Sequence, residues 1–303
     1  MEVIDSHVHL TMGCQDKEER EGGLPNLWIS AMPEGSPFRK EWTPELLHDA
    51  LGSSPHFKVT QCVFVECFNR PYVEEARRAC ALAKDPTSPV SAVVAHVPCR
   101  SGAVAVKAFL EELGTCEPLK GARQVFLGDP MPPADACLDP TFLEGLRALQ
   151  ELGQNKIHWE WCCHPCALHS VADVMQQMPE MRFVLDHCGH NRGGNDFTSW
   201  SADMCHIAES CPNLIGVKMG ATEEWDIEDE TEIVRYLVHV LRTFGYSRCL
   251  AESNWFVCVA EGLNLRYDRN FGLLLKALDH LAATEEEKNM VFVGNARKIY
   301  MMT

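Results

Sequence analysis

Hydrophobic runs recur along the whole chain, and each is followed by a stretch with helical periodicity. The runs are rich in Val, Ile, Phe and Cys and carry almost no charge at their centres, which is typical of strands buried on both faces of a parallel sheet. They occupy residues 2–9, 58–67, 90–96, 120–126, 156–163, 182–187, 214–219 and 248–253. The pattern therefore predicts eight strands separated by helices.

The amphipathic stretches between the runs predict the helices. Residues 71–84 begin with a proline and place small apolar residues on one face, as a helix packed on a sheet does. Residues 139–151, 229–244 and 264–282 repeat this pattern. Eight strands alternating with helices favour a single-domain (β/α)₈ TIM barrel over an open doubly wound sheet. The first strand is not followed by Gly-x-Gly-x-x-Gly, which weakens the dinucleotide-binding alternative.

Two segments depart from this alternation. Residues 11–43 follow the first predicted strand, are rich in Gly and Pro, and contain no predicted helix before Pro44. A solvated loop is one interpretation; we favour a lid over the mouth of the barrel, because disordered loops seldom carry so many large apolar groups. Those groups are Trp28, Met32, Phe38 and Trp42. The second segment, residues 190–200, is Gly-rich and polar and follows the sixth strand.

The charge balance excludes two classes of partner. The 303-residue chain has 27 Lys and Arg against 43 Asp and Glu, a net charge of −16, whereas nucleic acids and anionic membranes are bound by clustered positive charge. No apolar run is long enough to span a bilayer, and no signal peptide is recognisable. We therefore expect a cytoplasmic protein whose fifteen cysteines are mostly reduced, buried thiols.

Histidines lie at the ends of two predicted strands. His7 and His9 are two residues apart at the end of the first strand, so their side chains point to the same side. His187 follows the sixth strand. Catalytic groups of such barrels lie at the carboxyl ends of strands, and three histidines suit Zn²⁺ or a related ion with one position left for water. Hydrogen-bonded packing histidines are the alternative.

The eighth strand ends in Glu252-Ser253-Asn254. By alternation Glu252 and Asn254 share one side, and either would position a water molecule, although Asn254 cannot act as a general base. Arg123, at the end of the fourth strand, offers a guanidinium fork suited to a carboxylate or carbonyl of a substrate. A salt bridge is the alternative for Arg123, and for Lys218 on the seventh strand a substrate contact and a structural ion pair are equally open.

A Cys-x₂-Cys sequence follows the fifth strand at 163–166, and His169 lies close after it. One interpretation is a structural zinc site formed together with Cys188 and His190. We favour packing instead, because free cysteines usually pack as small hydrophobic residues. We expect Cys162 or His164 to line the pocket instead.

Ordered motifs along nearly the whole chain resemble those of one family. They are Asp-Ser-His-Val-His at 5–9, Lys-Gly-Ala-Arg at 120–123, Pro-x-x-Arg-Phe-Val-Leu-Asp-His at 179–187, Gly-Val-Lys-Met at 216–219, Phe-Gly-x-x-Arg-Cys at 244–249 leading to Glu-Ser-Asn-Trp at 252–255, and Gly-Asn-Ala at 294–296 with Tyr300. The sequence is similar to the amidohydrolase superfamily, in particular its amidohydrolase-2 branch, which includes sugar lactonases and a dicarboxylate lactonase.

The resemblance implies a barrel hydrolase of a small carbonyl compound, with a lactone favoured over an ester or amide. It implies one divalent metal, zinc first, held by His7, His9 and His187, although some relatives need no metal. It also makes a homodimer reasonable. Arg123 would face the substrate, and His187 would also take part in catalysis.

One position departs from the family pattern. The family usually has Gly-Ser-Asp-Trp at the eighth strand, where its Asp activates water, and this chain has Glu252-Ser253-Asn254-Trp255. Glu252 would take over the carboxylate role, or else Glu66 or Glu160 would do so. Two alternatives remain beside hydrolysis: a zinc-dependent non-oxidative decarboxylase of the same branch, and a barrel that binds a ligand without catalysis.

Overall fold

The computed structural model of the chain describes residues 1–12, 23–128, 130–190, 196–260 and 266–302. Eight parallel strands form one sheet in chain order. They are β1 (Glu2–Val8), β2 (Lys58–Val65), β3 (Val90–His96), β4 (Leu119–Phe126), β5 (His158–Cys163), β6 (Phe183–Leu185), β7 (Leu214–Met219) and β8 (Cys249–Ala251). The chain beyond β8 pairs with β1, since Asn254 N donates to His7 O at 3.1 Å and His9 N donates to Trp255 O at 2.6 Å. This confirms the predicted single-domain (β/α)₈ barrel.

Helices surround the sheet. They are α1 (Leu27–Ala31), α2 (Pro44–Gly52), α3 (Tyr72–Lys84), α4 (Gly102–Leu113), α5 (Pro140–Leu152), α6 (Leu168–Gln177), α7 (Phe197–Ser210), α8 (Glu230–Phe244), α9 (Val257–Ala260), α10 (Arg269–His280), α11 (Glu285–Asn289) and α12 (Asn295–Ile299). Side chains fix several starts: Asp139 accepts hydrogen bonds from two backbone N–H groups of α5, and Asp229 accepts one from α8. Such caps satisfy N–H groups that have no partner inside the helix.

Three elements differ from their prediction. The segment before Pro44 contains the short helix α1, whose start is capped by the Asn26 side chain. β6 ends at Leu185, because His187 and Cys188 adopt the left-handed region, with φ of 56° and 55°. β8 likewise ends before Asn254, whose φ is 60°. Both strands are therefore shorter than their hydrophobic runs.

The described part of residues 11–43 packs on the carboxyl end of the barrel. Trp42 stacks on Phe256 with ring centroids 4.8 Å apart, and Trp28 stacks on the same ring at 6.0 Å. Residues 13–22 of the predicted lid, and 191–195 of the second departing segment, lie outside the described residues.

Two further findings concern the cysteines and the helices. A disulfide joins Cys80 on α3 to Cys116, so this pair departs from the expected reduced state, whereas twelve other described cysteines are free. Among the described helices, none has the length and apolar character needed to cross a membrane.

Candidate active site

A cavity of about 180 Å³ opens at the carboxyl ends of the strands. Its polar lining includes Arg123 on β4 and four residues that follow strands: His9 after β1, Glu66 after β2, His187 after β6 and Asn254 after β8. Trp28, Phe68 and Val257 supply part of its apolar wall. The parallel barrel topology brings these side chains together, because all strands end at the same rim. Four of the predicted site residues thus line one cavity.

The three predicted histidines converge, and each has its Nδ1 atom in contact with an oxygen. His9 Nδ1 lies 3.0 Å from Val65 O, and His187 Nδ1 lies 2.9 Å from Glu252 Oε1. His7 Nδ1 lies 3.2 Å from Glu252 Oε2, while its Nε2 lies 3.1 Å from His9 Nε2. A histidine whose Nδ1–H donates to oxygen keeps a lone pair on Nε2, the arrangement that orients metal-binding histidines.

A compact group of possible metal ligands includes one residue that the sequence analysis did not select. One ligand atom from each of His7, Asp186 and His187 lies within 4.8 Å of the other two, and all three residues are buried. Asp186 is therefore a further candidate ligand. His9 lies outside this group and contacts its member His7. The signal for Asp186 was in the sequence, since it directly precedes His187 at the end of β6.

Buried carboxylates outnumber buried permanent cations around the cavity. Glu66, Glu160, Asp186 and Glu252 are four fully buried carboxylates. Two buried permanent cations face this group, Arg123 and Lys218. Excess negative charge is costly in a buried site unless a protonated histidine or a bound cation offsets it, so the donor set suits a divalent cation. Imidazole and carboxylate are ligands that Zn²⁺ accepts; the residues present therefore fit a zinc ion.

Electrostatics set the protonation of the Glu252–His187 pair. Burial by itself would raise the pKa of Glu252, but the charge of His187 and hydrogen bonds from His187 and His7 hold this pKa at about 2. Burial would lower the pKa of His187, yet the Glu252 charge and a hydrogen bond with Cys162 raise it well above its usual value. The predicted pocket residue Cys162 thus contacts His187 and lines the cavity.

Arg123 is held by ion pairs. Its Nε lies 3.0 Å from Glu66 Oε1 and its Nη1 lies 3.1 Å from Asp186 Oδ2, while Nη2 donates to Glu66 O at 3.0 Å. The salt bridge considered as the alternative role is therefore present. Arg123 nevertheless lines the cavity, so a contact between its guanidinium and a substrate stays a prediction.

Lys218 and Glu160 form a buried ion pair that adjoins the histidines, since Lys218 Nζ lies 3.2 Å from His7 Nδ1. Lys218 Nζ lies 2.5 Å from Glu160 Oε2 and 3.0 Å from Asp186 Oδ1. The other Glu160 oxygen contacts His158 Nε2 at 2.9 Å and Tyr300 OH at 2.6 Å. The structure thus contains the ion pair that was one of the two alternatives for Lys218, and both oxygens of Glu160 are engaged.

Glu252 and Asn254 do not lie as strand alternation predicts. The Glu252 carboxylate faces His187 and His7, whereas Asn254 donates its amide to Glu223 Oε1 at 3.0 Å and Glu224 Oε1 at 3.4 Å. The expectation of one shared side is wrong because the strand ends at Ala251 and the chain turns. Glu224 lines the cavity. Neither glutamate was predicted as a site residue, although both follow β7 closely.

The alternative zinc site after β5 is not assembled. Cys166 is exposed, whereas Cys163 is buried. Within the described residues, His7, Asp186 and His187 form the one group with ligand atoms close enough for a metal ion. We therefore keep the interpretation that the cysteines near β5 serve packing.

The fold and the site together define a TIM-barrel enzyme with a histidine-rich centre at the strand carboxyl ends. The sequence matches the family model for amidohydrolases over residues 4–301. The chain belongs to the amidohydrolase family, and it is accordingly a hydrolase. No curated protein matches the sequence.

Several solved structures share this fold. A zinc-bound amidohydrolase from Burkholderia multivorans is 23% identical with a TM-score of 0.76, and 99% of each chain is covered. Amidohydrolase 2 from Bifidobacterium longum subsp. infantis is 23% identical with a TM-score of 0.68, covering 100% of this chain and 99% of its own. The probable 2-pyrone-4,6-dicarboxylic acid hydrolase of Acinetobacter baumannii, with citric acid bound, is 15% identical with a TM-score of 0.63 and full coverage of both chains. At these identities the likeness establishes the shared fold.

Proposed function

We propose that this amidohydrolase hydrolyses a small lactone by attack of water in the barrel mouth, with one zinc ion bound by the histidine cluster. One observation carries the proposal: His9 and His187 line the cavity, and the His7 ring lies between them, with centroids 4.8 Å and 4.6 Å away. The Nδ1 atoms of His9 and His187 lie 3.0 Å and 2.9 Å from the oxygens of Val65 and Glu252. Histidines that serve only packing would not require three imidazole rings in mutual contact at the strand ends. The zinc-bound relative supports the choice of metal.

The candidate ligands are His7, Asp186 and His187, with His9 beside them. A bound zinc ion would supply Lewis-acid polarisation of a carbonyl group and a lowered pKa of water. Glu252 is a positioning residue in this proposal, because its two oxygens hold the rings of His187 and His7 rather than facing the cavity. Orienting carboxylates of this kind are common behind metal-binding histidines.

The cavity limits the substrate to a small molecule. Its volume of about 180 Å³ is below the roughly 300–1,000 Å³ of pockets for drug-sized ligands. Trp28, Phe68 and Val257 offer an apolar wall, and Arg123 offers N–H groups at its polar end. A ring with one polar edge fits this division, which favours a lactone over an open-chain amide. The similar structure of a probable 2-pyrone-4,6-dicarboxylic acid hydrolase supports the same choice.

Metal analysis and a substrate panel test the proposal together. We expect about one zinc per chain by mass spectrometry, and hydrolysis of dihydrocoumarin or δ-valerolactone, followed by acid release in a weakly buffered indicator solution. p-Nitrophenyl acetate provides an ester for comparison. His187→Ala should lose both zinc and activity, because it removes a candidate ligand. His48→Ala, a change on the exposed side of α2, is the matched control and should retain both.

The rival functions give different results. If protein without metal hydrolyses the lactone, the proposed zinc is wrong and the proposed hydrolase activity is supported. Release of carbon dioxide from carboxylated ring compounds, without lactone cleavage, would favour the decarboxylase. Absence of any turnover, with a ligand still bound in the cavity, would favour a binding barrel.

We also propose a cytoplasmic location and a small-molecule substrate rather than a nucleic acid or membrane. The twelve free cysteines among the described residues support a reducing compartment, and the net charge of −16 argues against polyanions. A homodimer stays a prediction, which size-exclusion chromatography with light scattering tests.

A further inference from the structure

We infer that Asp5 is a positioning residue for the candidate metal ligands, an inference that rests on the zinc site of the proposed function. Asp5 lies on β1, two residues before His7, and its side chain is fully buried. The cavity is lined by other residues. Asp5 therefore acts through its neighbours and not on a substrate.

The Asp5 carboxylate accepts four hydrogen bonds. Its Oδ1 accepts from Ser253 N at 2.9 Å and from His7 N at 3.2 Å. Its Oδ2 accepts from Ser253 Oγ at 2.6 Å and from Tyr267 OH at 2.7 Å. One buried side chain thus joins the backbone at His7, the segment after β8 and the segment that leads into α10.

β1 contains an extra residue just beyond Asp5. Asp5 pairs with Cys62 of β2 and Val8 pairs with Phe64, so a step of three residues in β1 faces a step of two in β2. An insertion of this kind bends a strand and redirects the side chains within it. His7 lies inside this step, and its N–H donates to Asp5 Oδ1. Asp5 therefore stabilises the backbone conformation that directs the His7 ring.

The same carboxylate helps to join β1 to the end of β8. Ser6 Oγ donates to Ala251 O at 2.8 Å, and Asn254 N donates to His7 O at 3.1 Å. Along the chain, the two hydrogen bonds from Ser253 to Asp5 lie between these contacts. Side-chain hydrogen bonds thus complete the closure of the barrel at the rim that carries the candidate site.

Asp5 joins the two backbone segments that carry His7 and Glu252. Glu252 directly precedes Ser253, and its Oε2 lies 3.2 Å from His7 Nδ1. Its Oε1 lies 2.9 Å from His187 Nδ1. His7 and His187 both belong to the candidate ligand group, and such groups must be held within about 0.5 Å of the productive geometry. A shift of His7 relative to Ser253 would therefore disturb the ligand group.

Tyr267 holds the carboxylate from the other side. Its ring is buried and packs edge-on against Phe271 of α10, with centroids 5.6 Å apart. Its hydroxyl bond to Oδ2 keeps Oδ1 directed toward the N–H groups of His7 and Ser253. Tyr267→Phe removes this one hydrogen bond and keeps the ring, so it perturbs Asp5 mildly.

Zinc binding by the whole protein tests this role. Asp5→Asn keeps the side-chain size but has one acceptor oxygen in place of two, so two of the four donors lose their acceptor. This variant should bind Zn²⁺ at least about 10-fold more weakly than the wild type, the lower end of the usual effect of groups that orient metal ligands. Tyr267→Phe should have an affinity between those of wild type and Asp5→Asn. Competition with a chromophoric chelator, in buffer where circular dichroism shows each variant folded, measures the affinities.

Hydrogen–deuterium exchange of metal-free protein locates the change. In both variants, peptides that contain His7 and Ser253 should exchange faster than in the wild type, whereas peptides from α5 and α6 should exchange at the wild-type rate. A purely structural role predicts instead that exchange accelerates throughout the barrel.

Asp139→Asn and Tyr236→Phe are the controls. Asp139 also accepts two backbone N–H groups, at the start of α5, and Tyr236 is a buried tyrosine on α8. Both variants should bind Zn²⁺ as the wild type does.

An affinity of Asp5→Asn within about threefold of the wild type would overturn the inference and leave the zinc site standing. If Asp5→Asn does not fold, an unchanged affinity of Tyr267→Phe has the same meaning. Weaker binding with accelerated exchange throughout the barrel would also overturn it, by assigning Asp5 a general structural role. Failure of the wild type to bind Zn²⁺ would refute the zinc site of the proposed function, and this inference with it.

Discussion

Replacing Lys218 by methionine should expose the electrostatic cost of the buried ion pair beside the site. Lys218 is fully buried, with Nζ 2.5 Å from Glu160 Oε2 and 3.0 Å from Asp186 Oδ1. Methionine keeps much of the length and apolar volume of lysine but removes its charge. Asp186 retains Arg123 at 3.1 Å, whereas Glu160 retains His158 and Tyr300 and no permanent cation. Glu160 is therefore the group expected to take up a proton in Lys218→Met.

The size of the effect follows from the pKa of Glu160. In the wild type, burial would raise this pKa, but the Lys218 charge lowers it below its usual value. Without Lys218 the charged form becomes unfavourable in the folded protein. Keeping a glutamate with an ordinary pKa of about 4.3 protonated costs about 4 kcal/mol at pH 7 and about 1 kcal/mol at pH 5. The value at pH 7 agrees with the roughly 3–5 kcal/mol measured when one partner of a buried ion pair is removed.

The sign of the pH dependence is specific. A carboxyl group whose pKa is raised in the folded state costs little stability below its unfolded pKa, and the cost grows as the pH rises toward the folded pKa. Lys218→Met should therefore be much more destabilised at pH 7 than at pH 5. The assay is urea unfolding of wild type and variant at both pH values, followed by circular dichroism.

Two controls separate this effect from general damage. The double variant Lys218→Met with Glu160→Gln should recover much of the loss at pH 7, because no unpaired charge remains. Lys276→Met removes an exposed lysine that pairs with Glu230 and should change stability by less than about 1 kcal/mol. Equal destabilisation of Lys218→Met at pH 5 and pH 7, or a double variant no more stable than the single one, would refute the reasoning.

Two further predictions concern packing and metal affinity. Gly145→Ala should destabilise the fold by at least about 1–3 kcal/mol, because its Cβ would lie 2.2 Å from Cys99 O. Gly272→Ala, whose Cβ meets no atom within 4 Å, should raise stability by about 0.5–1 kcal/mol; thermal melting of both variants checks this, and equal effects would contradict it. Glu252→Gln should weaken zinc binding about 10–100-fold, because it disturbs the anchor of His187; competition with a chromophoric chelator measures the change, and an unaltered affinity would rule out the positioning role.

Much of the architecture was open to prediction from the sequence. Strands buried on both faces leave long uncharged runs, so the number and order of the strands could be predicted. Caps such as Asp139 and Asp229 mark the starts of two of the four predicted helices. The ends of β6 and β8 were misjudged, because His187, Cys188 and Asn254 adopt left-handed backbone conformations that the hydrophobic pattern does not reveal.

The candidate site could be predicted from the sequence only in part. Strand-end histidines such as His7 and His187 are recognisable, because a parallel barrel gathers strand carboxyl ends at one rim. The partners of those histidines are not recognisable, since Glu252 and His187 are 65 residues apart and meet through folding. Glu224 was not predicted for a related reason. Its contact with Asn254 depends on the turn after β7, which the sequence does not reveal.

The local order of apolar and polar residues, by itself, determined a (β/α)₈ barrel with histidines at the mouth, because strand burial and helix periodicity are properties of short segments. Only the tertiary structure decided which charges pair. It places Arg123 between Glu66 and Asp186 and turns Glu252 toward the histidines. It also brings Glu224 to the cavity. Pairing depends on distances of about 3 Å between atoms from different strands, and those distances follow from the packing of the whole barrel.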